Sequence, residues 1–307
     1  MKTILLLVSL VIASGAQAAF PEKPIKFIVP TNAGGGVDAQ ARILQRAIGD
    51  FKLLPEKVVV VNIPGGGGVV GTGKVKSAKA DGYTIGLWNA GLITSRVMGI
   101  SKFDHTDFEI IGMTGFTELG LAVKNDSSII SVSDLVDRAK LKPGSLKFAT
   151  DIGTPVHFIP LMFADRADIE FRFVQTGGGS KRLASIMGGH TEVSLFSTLA
   201  MLTFAEAGLR PLLVFSDERN ELLPDVMTAK EGGVDVTLTE PRFWFAPKGT
   251  PQDRLTILRE ALKAAMAKPS VHKDFASQGI VPMFADAAHV TNELDALLKT
   301  IGPLIKR

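Results

Sequence analysis

The stretch Phe27-Ile28-Val29-Pro30-Thr31-Asn32-Ala33-Gly34-Gly35-Gly36-Val37-Asp38 decides the fold. A β-rich run from Ile25 to Val29 breaks at Pro30. A glycine turn then opens a segment whose apolar residues, Val37, Ala41, Leu44, Ile48 and Phe51, recur at the spacing of one helical face. Strand, glycine turn and helix form the unit of an open α/β sheet, where ligands bind outside the carboxyl ends of the strands. The turn lets a ligand approach the backbone closely. The helix behind it offers unpaired N–H groups and a partial positive charge of about half a unit.

The unit recurs twice. Leu146 to Ala149 runs into Asp151-Ile152-Gly153-Thr154-Pro155, and Phe171 to Val174 runs into Thr176-Gly177-Gly178-Gly179-Ser180, each followed by a helical pattern. A single such turn is accounted for by tightness alone, since glycine is the default turn residue. Three such turns, two of them in nearly matching layout, point to a small anion, such as a carboxylate, held between lobes without needing arginine. Thr31, Thr154, Thr176 and Ser180 add hydroxyl donors.

Elsewhere strands and helices keep alternating, the mark of a mostly parallel α/β fold. Val58 to Val61 reads as a strand buried on both faces, followed by a helix around Val70 to Ala80 and a strand from Tyr83 to Trp88. Leu119 to Val123 is the next strand, and Ser133 is the expected N-cap of a helix through Lys140. Glu192 to Phe196 leads into a helix near Ala200 to Ala207, and Leu212 to Phe215 is another strand. Thr250 is the expected cap of a helix with the stripe Leu255, Leu258, Leu262 and Met266, and Asp286 caps a final helix carrying Val290 and Leu294. No low-complexity linker divides the chain, so a discontinuous pair of lobes is expected.

Composition narrows the function. The 307 residues carry 34 basic and 31 acidic side chains, a net charge of +3, 46% hydrophobic residues and no cysteine. Such a chain buries a real core, holds no disulfide or thiolate-bound metal, and is too weakly basic for a dedicated nucleic-acid binder. Met1-Lys2, the apolar run Thr3 to Ala13 and Ala16-Gln17-Ala18 have the layout of a secretory signal peptide, residues 1–18. The run is too short for a membrane span, which needs about 20 apolar residues. An exported protein, cleaved near Ala18, is expected.

Enzymatic motifs are thin. Gly66-Gly67-Gly68-Val69-Val70-Gly71 spells a dinucleotide fingerprint, but the acidic residue it needs is replaced by Trp88-Asn89, and Val75 stands where a phosphate loop needs Ser or Thr. The five histidines show no metal spacing, and no G-x-S-x-G elbow exists. His157 adjoins a glycine turn, where it either contacts ligand or satisfies the backbone. Asp38 either contacts ligand or offsets the helix dipole. Trp88 and Trp244 close strands near the cleft, where aromatics are usually core.

These motifs resemble the solute-binding receptors of tripartite tricarboxylate transporters, the TctC or Bug-like family. The resemblance spans nearly the whole chain after residue 18. It rests on Phe20-Pro21-Glu22-Lys23-Pro24-Ile25, Val29-Pro30 through Gly34-Gly35-Gly36-Val37-Asp38, Asn62-Ile63-Pro64-Gly65 through Gly71, Asp81-Gly82-Tyr83-Thr84, Leu223-Pro224-Asp225-Val226 and Ala246-Pro247-Lys248-Gly249-Thr250-Pro251. It implies a two-lobed type II periplasmic binding protein, α/β, each lobe a mostly parallel sheet flanked by helices with the cleft between. Residues 19–118 with 247–307 would form one lobe and 119–246 the other.

The ligand site implied comprises Thr31, Asn32, Ala33, Gly34, Gly35, Gly36, Asp38, Gly66, Gly67 and Asn89 from the first lobe. From the second come Thr154, Pro155, His157, Thr176, Gly177, Gly178, Gly179, Ser180 and Ser197. Many members of the family carry Tyr-Lys-Gly where Gln175-Thr176-Gly177 stands, and an Asp where Ser197 stands; the latter change removes a partner for an ammonium group and disfavours amino acids. The expected protein is a monomeric periplasmic receptor with no catalytic residue, metal, cofactor or nucleic-acid partner. It binds a di- or tricarboxylate or an aromatic acid and delivers it to a membrane permease. The rivals are an exported hydrolase using His157 with Ser197 or Thr154, and a ligand-loaded partner of a membrane sensor kinase.

Overall fold

A computed structural model describes residues 20–304; the expected signal segment lies outside the described residues. The chain runs β1 (Ile25–Val29), α1 (Gly36–Asp50), β2 (Val58–Asn62), α2 (Val69–Lys76), β3 (Thr84–Trp88), α3 (Gly91–Val97) and β4 (Phe108–Lys124). It continues through α4 (Val132–Leu141), β5 (Lys147–Thr150), α5 (Pro155–Ala167), β6 (Arg172–Gln175), α6 (Gly179–Met187), β7 (Val193–Ser197), α7 (Thr198–Ala205) and β8 (Leu209–Val214). It closes with β9 (Thr239–Pro247), α8 (Gln252–Met266), α9 (Pro269–Ser277), β10 (Ala285–Asp286) and α10 (Ala287–Leu304).

Three apolar clusters define two lobes, two of them in the second lobe. Phe27, Leu44, Leu87 and Trp244 belong to the first, and Leu121, Phe148, Phe163 and Leu195 to the second. In the first lobe β2, β1 and β3 are parallel, and β9 and β4 complete the sheet antiparallel. In the second, β6, β5 and β7 are parallel, with β4 and β8 antiparallel. The sheets are therefore mixed. β4 carries the chain out of the first lobe and β9 carries it back, so these two must run in opposite directions. They pair with each other from Phe108↔Pro247 to Glu118↔Thr239, with register shifts between Ile110 and Gly112 and between Met113 and Phe116. Phe243 to Ala246 pack in the first core.

The sequence showed only the far end of β4, Leu119 to Val123. Gly112, Gly115 and the charges Glu109 and Glu118 interrupt the apolar pattern before it. Of β9 only a strand closing at Trp244 was anticipated, and α3 and α9 were not. Val58 to Val61 is not buried on both faces: β2 ends the sheet, and Val59 is exposed. The cap of α4 is Ser131, whose hydroxyl accepts from Asp134 N at 3.0 Å, whereas Ser133 donates to Asp137. Thr250 donates to Pro247 O instead of capping, so Pro251 occupies the cap of α8. Asp286 does cap α10, accepting from His289 N at 2.9 Å. No helix among the described residues is long and apolar enough to cross a membrane.

Candidate functional site

The three glycine turns share one backbone plan. A left-handed glycine comes first: Gly34 (φ +87°), Gly153 (φ +88°) and Gly177 (φ +96°). Next stands an extended N-cap, Gly35, Thr154 or Gly178, and none of the three makes a side-chain capping bond. The left-handed positions favour glycine on backbone grounds. Gly35 and Gly178 do not need it. Their backbones (φ −81°, ψ 166° and φ −63°, ψ 168°) suit any residue. A Cβ at Gly178 would meet nothing within 4 Å, and one at Gly35 only Asn32 O at 3.8 Å. Ser or Asp at either place would cap the helix better. Glycine there leaves the first N–H groups of α1 and α6 uncovered.

Each turn is braced from within its lobe. Asp38, buried, accepts from Gly34 N at 2.8 Å, from Arg42 Nε and from Asn62 Nδ2 at 2.9 Å. Burial pushes its carboxyl upward, but these bonds more than reverse that and hold its pKa below the ordinary value. All its partners belong to the first lobe, so Asp38 shapes the turn rather than presenting itself to a ligand. Asn62 also donates to Thr31 O, tying the end of β2 to the same turn. In the second lobe, Thr176 N, Gly177 N and the Thr176 hydroxyl all donate to Thr150 O. Gln175 joins the two turns of that lobe by donating to Asp151 and accepting from Ile152 N, each at 2.7 Å.

A cavity of about 490 Å³ lies between the lobes. It brings together Gly36 from one lobe with Pro155, Gly179, Ser180 and Ser197 from the other. Three charged residues line it that the sequence reading passed over: Arg182, Arg242 and Glu240. Both guanidiniums are buried, at 8% and 6% exposure. Arg242 Nη1 donates to Gly36 O at 3.0 Å and to Gln40 Oε1, while Arg182 Nη1 donates to Gly177 O at 2.9 Å. Each buried arginine thus holds the carbonyl of one glycine turn. Burial pulls both guanidiniums below their usual pKa; Asp151 and Glu240 oppose this at Arg182, and Glu240 at Arg242. Beneath Arg242 the chain of bonds continues: Gln40 Nε2 and Trp244 Nε1 both donate to the Thr114 hydroxyl.

The remaining expected residues fall around this cavity rather than on it. Asn32, Ala33 and Gly34 are exposed on the first turn, and the Thr31 hydroxyl is buried without a partner. Asn89 is buried and donates to Glu240 at 2.8 Å, so it reaches the site through that carboxylate. Gly66 and Gly67 form an exposed 3₁₀ turn ahead of α2, outside the cavity lining. Trp88 covers Gly68 and Trp244 is core, as aromatic residues at strand ends usually are. His157 is half-buried, edge-on to Phe173, with Nδ1 3.5 Å from Gly153 N; burial lowers its pKa. Neither rival hydroxyl is bonded to its ring. The Ser197 hydroxyl accepts from Ala200 N and caps α7, and Thr154 donates to Asp151 O.

Two α/β lobes joined by a two-stranded ribbon, with uncovered helix ends meeting across a cleft, define a type II binding protein. The chain belongs to the tripartite tricarboxylate transporter family of receptors, TctC, whose model matches residues 41–307. It is 29% identical over 302 residues to protein BugT of Bordetella pertussis, covering 93% of this chain and 91% of that one. Among solved structures it is similar to a TctC solute binding protein from Polaromonas, with a TM-score of 0.79, 26% identity, and coverage of 94% of this chain and 99% of that one. The R. palustris protein Rpa4515, solved with adipate, shares the fold at a TM-score of 0.79 and 23% identity, covering 94% of this chain and 98% of that one.

Proposed function

We propose that this protein is a periplasmic receptor, exported by a signal peptide cleaved near Ala18. It captures a small organic carboxylate between its lobes and delivers it, as a monomer, to the membrane permease of its transporter. The observation that carries the reading is the glycine at the caps of α1 and α6. Nothing in the local backbone or packing calls for glycine at Gly35 or Gly178, and a ligand carboxylate lying against the exposed N–H groups accounts for it. The first residues of both helices line one cavity, which supports a single anion reached from both lobes.

The lobes, 19–118 with 247–307 and 119–246 in outline, close by bending at the irregular stretch of β4 and β9. The shifted register between Met113 and Phe116 supports a hinge there. Thr176, Ser180 and Ser197 then complete the carboxylate's hydrogen bonds from the second lobe. The receptor makes and breaks no covalent bond. Native mass spectrometry of protein purified from its own periplasm tests this: a small organic acid should be released on denaturation, and release of a sugar, a nucleotide or an amine would overturn the reading.

A further inference from the structure

The cavity holds two buried positive charges that no side chain pairs. Among the described residues neither Arg182 nor Arg242 has a carboxylate within 4.0 Å, and each has a buried Nε without a hydrogen-bond partner. The Thr117 hydroxyl, on the same lining, is also buried and unpartnered. Leaving a guanidinium buried and unpaired is costly. Each arginine spends Nη1 on a glycine-turn carbonyl. That leaves the Nε side, the edge that takes a carboxylate in a two-point fork.

We propose that Arg182 and Arg242 are the charge-reading pair of the cleft, and that its ligand is a dicarboxylate dianion with one carboxylate on the Nε edge of each. This rests on the receptor reading above. Asp151 and Glu240 both act on Arg182, and Glu240 on Arg242, yet Glu240 already accepts from Asn89. It moderates the pair without satisfying either free edge. Leu119, Ile159, Leu195 and Leu199 also line the cavity and suit an uncharged spacer between the two carboxylates.

The test is calorimetric titration of the full mature protein, stripped of ligand, with succinate, adipate and the monomethyl ester of each. The wild type should bind a diacid on the order of 10- to 100-fold more tightly than its ester, the loss of one charge-assisted bond. In Arg182→Gln and Arg242→Gln that preference should collapse toward parity. Arg182→Met and Arg242→Met serve if the amide variants fold poorly, and the wild-type comparison needs no variant. Equal binding of diacid and ester, or a preference that survives in all the variants, overturns the arginine assignment while the receptor reading stands. Binding of no carboxylate overturns both.

Discussion

Arg242 Nη1 lies 3.0 Å from the carbonyl oxygen of Gly36, 206 positions earlier in the chain. The bond ties the returning strand β9 to the first turn of α1, and its closeness explains the glycine. A Cβ at Gly36 would sit 2.9 Å from Arg242 Nη2, the movable end of a side chain. Gly36→Ala should therefore leave the melting midpoint nearly unchanged while weakening carboxylate binding on the order of 10-fold, as the guanidinium is pushed aside. Gly71→Ala is the contrast. Its Cβ would meet Ile63 O at 2.6 Å and Pro30 Cα at 2.8 Å, both backbone. A loss of about 1–3 kcal/mol in urea denaturation is expected there.

Gly35→Asp and Gly178→Asp each put a carboxylate where the ligand's is proposed to lie. An Asp at an N-cap stabilises a helix over glycine by a few tenths of a kcal/mol, up to about 1 with the dipole. Both variants should melt slightly higher than wild type without ligand, and lose most of the stabilisation that ligand confers. Thermal denaturation with and without ligand reads both effects.

Asp38→Asn should cost about 1–3 kcal/mol, because three donors lose a charged acceptor. The folded pKa of Asp38 is depressed. Its contribution is therefore complete above the ordinary value of about 3.9 and is lost as pH falls through the lower folded value. Denaturation curves below about pH 4 should be steeper in pH for wild type than for Asp38→Asn.

His157 titrates in the opposite sense to a paired histidine. Burial lowers its folded pKa, so the unfolded chain takes up the proton first. Stability is complete above about pH 6.5 and declines as pH falls from there toward the folded value. His157→Phe should flatten that decline, measured as melting midpoint against pH. At neutral pH this shift favours the uncharged ring, whose Nδ1 faces the Gly153 N–H.

The glycine turns were legible because local backbone chemistry writes them: a strand, a break and a helix start lie within about a dozen residues. The arginines were not. Arg182 reads as an ordinary helix-surface cation beside Lys181, and is buried because the first turn of α6 lines the cavity, with the guanidinium over Phe196. Arg242 sits in a strand whose charged start, Glu240-Pro241-Arg242, hides its alternation, and it acquires meaning only through a partner some 200 residues away. Helix ends that need no arginine were expected to make the anion site; the cavity is lined by two guanidiniums as well. Asp38 was visible as a first-turn acid, but the donors that absorb it, Arg42 and Asn62, come together only on folding. Likewise β2 looked interior from its valines, and nothing in that run announces that it ends the sheet.

The central claim is that a small carboxylate closes the two lobes on itself. It is tested most directly by thermal denaturation of ligand-stripped protein against a panel of mono-, di- and tricarboxylates and aromatic acids. A receptor of this kind gains stability with the logarithm of ligand concentration, about 2.7 kcal/mol at a hundredfold excess over Kd. At least one acid should raise the midpoint in that way, and Gly178→Asp should abolish the rise. A midpoint unmoved by every acid in the panel would contradict the account.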